Sequence, residues 1–443
     1  MITDNPPHIL APATSTRQVT LAMGVVALLF FVLGCATWIN GSLIPFLKIA
    51  CDLNNFQALW VTFAFYIAYT VMALPAAAVL RRTGYRRAMG LGLAIMGGGA
   101  LLFVPAARSG EYGLFLLALF TLASGMTLMQ TAINPYLVCI GPRDSAATRI
   151  SIMGLFNKGA GVLVPLMFTS LVLTGMDAYS DDVFKATDAA GRAALRAELS
   201  QRLATPYAMM AGALVLMALL VAALPIPEIP PDRREGERSS RFDVLRHPQL
   251  VLGAAALFVY VGVEVIAGDT IGLYGQHLGL PGYASLTSLT MAFMVVGYLA
   301  GIAAIPRYIS QSRALQVSAA LGILFSLVVT LAPAGSTVIA EALLGWSPIR
   351  HVPDSVLCLA LLGLANALVW PAIWPLALAD LGSDTANGAA LLIMGIAGGA
   401  LLPMAYGALS DHSSPQAAYW LLLPCYAWIL FYALKGQALR RWP

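Results

Sequence analysis

The chain has 443 residues, of which 59% are hydrophobic and only 10% charged, with a formal net charge of +4. A mean hydropathy of +0.79 is more apolar than a soluble domain can bury, which excludes a water-soluble globular protein. The basic excess is no sign of nucleic-acid binding, because nearly every Lys and Arg falls between apolar runs and reports topology instead.

The first twenty residues are polar, contain prolines and lack a cleavage-site pattern, so the first apolar run reads as a retained anchor. A helix needs about 20 apolar residues to cross a hydrocarbon core of about 30 Å. Twelve stretches meet that condition. Six precede a polar linker, at 21–47, 57–80, 87–107, 113–140, 150–174 and 206–226. Six follow it, at 249–274, 284–306, 314–333, 354–379, 386–409 and 417–434. Arg81, Arg82, Arg86 and Arg87 crowd the turn between spans two and three, and Arg307 and Arg313 occupy the matching turn of the second set. Between spans five and six, the 180–204 segment has helical apolar spacing and is expected to lie as an amphipathic helix on the outer surface. Residues 227–247, rich in Pro, Arg, Glu and Ser, cannot bury a core.

With the N-terminus inside, seventeen Lys and Arg collect on the cytoplasmic side and seven outside, and Lys158 alone lies within a span. The expected organisation is therefore a cytoplasmic tail (1–20), a six-helix bundle (21–226), a cytoplasmic linker (227–247), a second six-helix bundle (248–434) and a cytoplasmic tail (435–443), in a cell inner membrane. Cys35, Cys51, Cys139, Cys358 and Cys425 share no metal-ligand spacing and are expected as free, apolar-like thiols. Ile152-Met153-Gly154 recurs as Ile393-Met394-Gly395, each followed by glycines and a proline, Pro165 or Pro403. Two parallel halves related by an axis along the membrane normal predict an all-α integral membrane protein with substrate bound at mid-depth between rocking bundles. Gly159, Gly161, Gly395 and Gly399 are expected to let helices approach closely.

Polar residues inside spans cost free energy in lipid and persist where they face a cavity or a partner. Asn40, Gln57, Tyr66, Gln130, Thr131, Asn134, Asn157, Lys158, Glu264, Asp269, Thr270, Asn366, Trp370, Trp374 and Asn387 are such residues. Amides offer donors and acceptors to vicinal hydroxyls, and an indole face packs on the C–H face of a sugar ring. Asn40, Gln130, Asn134, Asn157, Asn366, Trp370 and Trp374 are accordingly the expected substrate contacts, and a neutral polyol the expected substrate. Gln130 and Asn134 share a helical face, and Pro135, Pro371 and Pro375 are expected to loosen the backbone beside these groups. For any single amide, a plain interhelical hydrogen bond is the competing account. Lys158 must be paired or hydrated; Glu264, and less readily Asp269, could form a gate with it across the halves. Glu264 as a proton carrier, or as a structural hydrogen-bonding group, are the alternatives.

The segments FFVLGCATWINGSLIPFLK (30–48), NNFQALWVTFAFYIAY (54–69), QTAINPYLVCIGP (130–142), FNKGAG (156–161), YVGVEVIAGDTIG (260–272) and NALVWPAIWPLALADLG (366–382) resemble the fucose and glucose/galactose symporters of the major facilitator superfamily. The stretch around Glu264 is similar to members carrying N-acetylglucosamine or glucose. The resemblance implies that fold, a monosaccharide such as glucose, galactose, fucose or N-acetylglucosamine, and sugar contacts at Asn40, Gln130, Asn134 and Asn157. It further implies a span-one Asp and a span-four Glu for substrate and proton, but Gly41 and Gln130 stand at those positions. That departure shifts proton coupling toward Glu264, or coupling toward sodium, or the mechanism toward plain facilitated diffusion. The superfamily's acidic residue before Arg81 is also missing, with Val79 and Leu80 in its place, which implies a weaker cytoplasmic latch. An exporter of the same fold is the second class weighed, and its cavity would be less amide-rich. No nucleophile–base set, HExxH or phosphate-binding loop argues for an enzyme, and no cofactor is expected. The expected partners are the sugar, a proton or sodium ion and the bilayer, with the chain acting as a monomer.

Overall fold

The computed structural model describes residues 16–139, 146–172, 183, 187–224, 243–305, 307–333, 335–346, 352–381 and 385–442. Twelve helices among the described residues are long and apolar enough to cross a membrane. Span one is Thr16–Trp38 continued by Asn40–Ala50, and span two is Asn55–Ala58 continued by Trp60–Thr83. Tyr85–Ser109, Tyr112–Cys139, Ala146–Val172 and Ala204–Ala223 complete the first half. The second half comprises Pro248–Asp269 followed by Ile271–His277, then Leu286–Ala304, Gln311–Leu331, Asp354–Asn366 with Val369–Ala377, Thr385–Met394 leading through a tight turn into Gly398–His412, and Leu422–Leu434. An even number of crossings returns both termini to one side, here the terminal side; the opposite side is the far side.

Several boundaries differ from expectation for local reasons. The first helix starts at Thr16, inside the segment expected as a tail, and residues 1–15 lie outside the described ones. Most of the expected linker also lies outside them, and its end, Asp243–Arg246, is a tight helical turn. Span ten breaks between Asn366 and Val369 because Pro371 has no N–H for the carbonyl one turn back. Span seven is interrupted at Thr270, whose hydroxyl donates to the Ile266 carbonyl at 2.7 Å and so competes for the helical ladder. Span four, by contrast, stays helical through Pro135 to Cys139. The expected surface helix is present as Ala189–Gln201, held where Arg196 meets Asp52 at 2.8 Å. Cys35, Cys51, Cys358 and Cys425 are free, and burial pushes the Cys51 thiol up to about 11, partly offset by Arg196.

The basic hairpin is built around Gly84, whose φ of 78° suits glycine. Arg81, Arg82 and Arg87 are exposed, while Arg86 turns inward and caps the last turn of span six through the Val221 carbonyl at 3.2 Å and the Ala222 carbonyl.

Close helix approach is concentrated where side chains vanish. Spans three and four cross at Gly92 and Gly125, where a Cβ on Gly125 would lie 2.5 Å from the Gly92 carbonyl and 2.6 Å from the Met96 nitrogen. Between the halves, Gly161 packs on Met291 and Gly399 on Tyr66, while Gly161 also meets Trp38 of its own half. Gly395 packs on span seven, but Gly159 has open space beside it and makes no close approach. Gly125→Val should therefore cost about 1–3 kcal/mol of stability through overpacking. Gly98→Val, on the same span three but with nothing within 4 Å of its Cβ, is the control in a thermal-unfolding series in detergent. Equal melting temperatures for the two variants would contradict the backbone-contact account.

Candidate functional site

Some of the polar groups of the spans meet across the two halves. At mid-depth, Lys158 Nζ of span five lies 2.7 Å from Glu264 Oε1 of span seven, with each side chain 10% exposed. The ammonium also sits 4.2 Å from the centroid of a Trp38 ring, so an aromatic face supplies part of the environment that water would otherwise provide. Asp269, the other carboxylate weighed for Lys158, does not pair with it. Its Oδ2 accepts from Thr62 Oγ1 of span two at 3.1 Å, and its Oδ1 has no partner.

The expected substrate contacts divide into two groups. Asn157 is half-buried and committed within the first half, accepting from Trp38 Nε1 at 3.2 Å and donating to the Phe30 carbonyl at 3.4 Å. It fixes span one against span five. Asn366 is fully buried and accepts from Tyr426 of span twelve at 2.9 Å, which ties ten to twelve, while its Nδ2 stays unpartnered. Asn40 is fully buried at the start of the second piece of span one, and neither of its amide atoms is partnered. Gln130 is half-buried and Asn134 exposed, and neither hydrogen-bonds to the described residues. Trp370 and Trp374 lie past the span-ten break, both half-buried, with ring centroids 5.6 Å apart. Tyr260, one turn before Glu264, tilts against Trp370 at 6.3 Å, and the Trp374 indole nitrogen is buried without a partner. Gln57 is not a span residue facing the seam: it closes a capping box with Asn54 at the far-side start of span two. The Asn387 side chain lies outside the described residues.

On the far side the halves interlock. Asp411 of span eleven accepts from the backbone nitrogens of Asn55 and Phe56 at 3.1 and 2.9 Å, capping span two across the seam. Ser42 donates to the Ala284 carbonyl at 2.5 Å, and Gly41 is packed against Gly268 and Thr287. Gly407 rests on Phe56 and Leu59. Trp38, Thr62, Tyr260 and Asp411 escaped the reading of the sequence. A tryptophan in the quoted span-one segment was a visible signal; the pairing of Asp411 with residues more than 350 positions away had none.

Two six-helix bundles in a membrane, meeting at a buried ion pair, define a transporter of the two-bundle class. The chain matches the Major Facilitator Superfamily model over residues 26–401 and belongs to that superfamily. It is 34% identical to the glucose/galactose transporter of Brucella abortus, over 98% of this chain and 98% of that one. It is 26% identical to the L-fucose-proton symporter of Escherichia coli, over 95% of this chain and 94% of the relative. Among solved structures, a superfamily transporter in the outward conformation matches with a TM-score of 0.71 at 25% identity, covering 94% of this chain and 99% of the other. A bacterial homologue of the human lysosomal transporter Spinster, inward-facing and unoccupied, shares the fold with a TM-score of 0.65 at 16% identity, covering 97% and 100%. The kinship drawn from the sequence motifs is established by these matches, and the relatives are transporters rather than enzymes.

Breaking the central pair from one side leaves a buried charge without its counter-ion. Lys158→Met or Glu264→Leu alone should each destabilise by about 3–5 kcal/mol, and the double variant should recover most of that loss. Urea or thermal unfolding of the three variants in detergent reads the coupling; strictly additive losses would mean the two groups do not act as a pair.

Proposed function

We propose that this protein is a permease that takes up a neutral monosaccharide, a hexose of the glucose or galactose kind, by alternating access between its halves. The observation that carries the reading is the polar inventory of the seam: its central ion pair is internally neutral, and Gln130, Asn134 and the Trp374 indole nitrogen, which find no partner among the described residues, are neutral hydrogen-bonding groups. Such a lining suits hydroxyls, and Asp269, the carboxylate beside it without a counter-charge, is fully buried against Thr62 and not open to an ionic substrate. The end-to-end similarity to a glucose/galactose transporter supports the same substrate class.

Gln130 and Asn134, one helical turn apart, offer carbonyl and amide groups to adjacent hydroxyls, and the Trp370–Trp374 pair offers a ring face. Both amides belong on a water-accessible cavity, since facing lipid would leave them unsatisfied. Lys158 and Glu264 act as the mid-depth gate, made when the halves approach and broken when they part. The arginine hairpin and the rest of the basic residues on the terminal side put both termini in the cytoplasm of a bacterial inner membrane. The far side then faces outward, and the interlock around Asp411, Ser42 and Gly41 closes the protein to the outside. The seam is built from one chain, so a monomer carries the whole path. A proton or sodium ion is the co-substrate that would make uptake concentrative.

The test is uptake of labelled glucose, galactose, fucose and N-acetylglucosamine into proteoliposomes. Wild-type protein should carry at least one of the four, and Gln130→Leu should raise its KM by about 10-fold, the loss of one buried hydrogen bond to a hydroxyl. Transport of none of the four sugars, or an unchanged KM in Gln130→Leu, would refute this reading.

A further inference from the structure

Beside the ion pair stands a second buried carboxylate with no counter-charge. Asp269 ends the first helical run of span seven and is fully buried. No Lys, Arg or His among the described residues pairs with it, whereas Glu264, little more than one turn earlier, is matched by Lys158. Among the described residues its single hydrogen bond comes from Thr62, which belongs to the opposite half. The titratable groups within electrostatic reach are Glu264 on its own helix and Tyr66 from span two. Spans one and eight bring neutral groups: Gly41 lies against the Gly268 carbonyl, and Thr287 donates to that same carbonyl at 2.8 Å. Asn40, the residue before that glycine contact, is a second fully buried side chain with unpartnered polar atoms at the seam.

We propose that Asp269 is the site that binds the coupling proton. The inference rests on the permease reading above and gives it its co-substrate. When the far side opens, Thr62 withdraws with its half and the carboxylate meets external water. Closing the seam over the anion would trap an uncompensated charge, so closure and proton binding favour one another. The proton adds to Oδ1, the oxygen that has no partner, and the resulting carboxylic acid is neutral and can be sealed. By linkage the same preference works in reverse: a proton gradient directed inward biases the cycle toward far-side closure with sugar aboard. Glu264, held by Lys158, is the gate and does not exchange the proton.

Two measurements on the full chain test this. In proteoliposomes, Asp269→Asn should still exchange labelled hexose across the membrane but lose accumulation driven by a pH gradient, the accumulation ratio falling to about one. Wild-type-like, pH-driven accumulation in that variant, or wild-type accumulation that follows a sodium gradient and ignores pH, overturns the proposal. The second measurement needs no sugar, so it separates a wrong proton site from a wrong substrate class. Spin labels at Glu111→Cys and Ser413→Cys, with the native cysteines replaced, report the far-side distance between halves. Raising the pH should lengthen that distance in the wild-type background and leave it short in Asp269→Asn. Parallel pH curves overturn the proposal even if no hexose is carried. Should Asp269→Asn fail to fold, Thr62→Val serves: it removes a hydrogen bond made only in the closed state and should move the midpoint of opening downward by about one pH unit. An unmoved midpoint counts against the site.

Discussion

Hydrocarbon tolerates a charge only beside its opposite, and the seam of this protein is organised by that constraint. Lys158 and Glu264 come from different halves, so each charge is matched by its opposite across the seam. Trp38 supports the pair: its ring faces the ammonium, its nitrogen donates to Asn157, and Gly161 and Gly268 give it room. One tryptophan thereby joins the position of a charge to the packing of spans one, five and seven. A change in the contact between the halves cannot leave the electrostatics of the centre untouched.

Much of the architecture was legible in the sequence. Apolar runs of membrane-spanning length are one-dimensional signals, and they carry over directly into twelve helices among the described residues that are long and apolar enough to cross a membrane. The Lys158–Glu264 contact was reachable by a similar economy, since an intramembrane cation has few carboxylates to choose from. Helix interiors were harder. Pro371 does break its helix, whereas span four continues through Pro135, because the neighbouring helices decide whether a freed carbonyl can be tolerated.

The amides show where reading from sequence ends. Asn40, Gln130, Asn134, Asn157 and Asn366 look alike as buried polar residues in apolar runs. In the structure Asn157 and Asn366 serve as interhelical ties, Gln130 and Asn134 remain available, and Asn40 is enclosed. What separates them is the identity of the neighbour, which comes from helices 60 to 130 positions away and leaves no periodic trace. The same holds for Thr62, an ordinary hydroxyl until the fold sets it against Asp269.

The far-side latch at Asp411 has an asymmetry of a different order. One partner is a carboxylate that a single base change can replace; the other is the peptide backbone at Asn55 and Phe56, which every amino acid but proline supplies alike. Drift in the residues opening span two therefore leaves this contact intact, whereas almost any change at position 411 removes it.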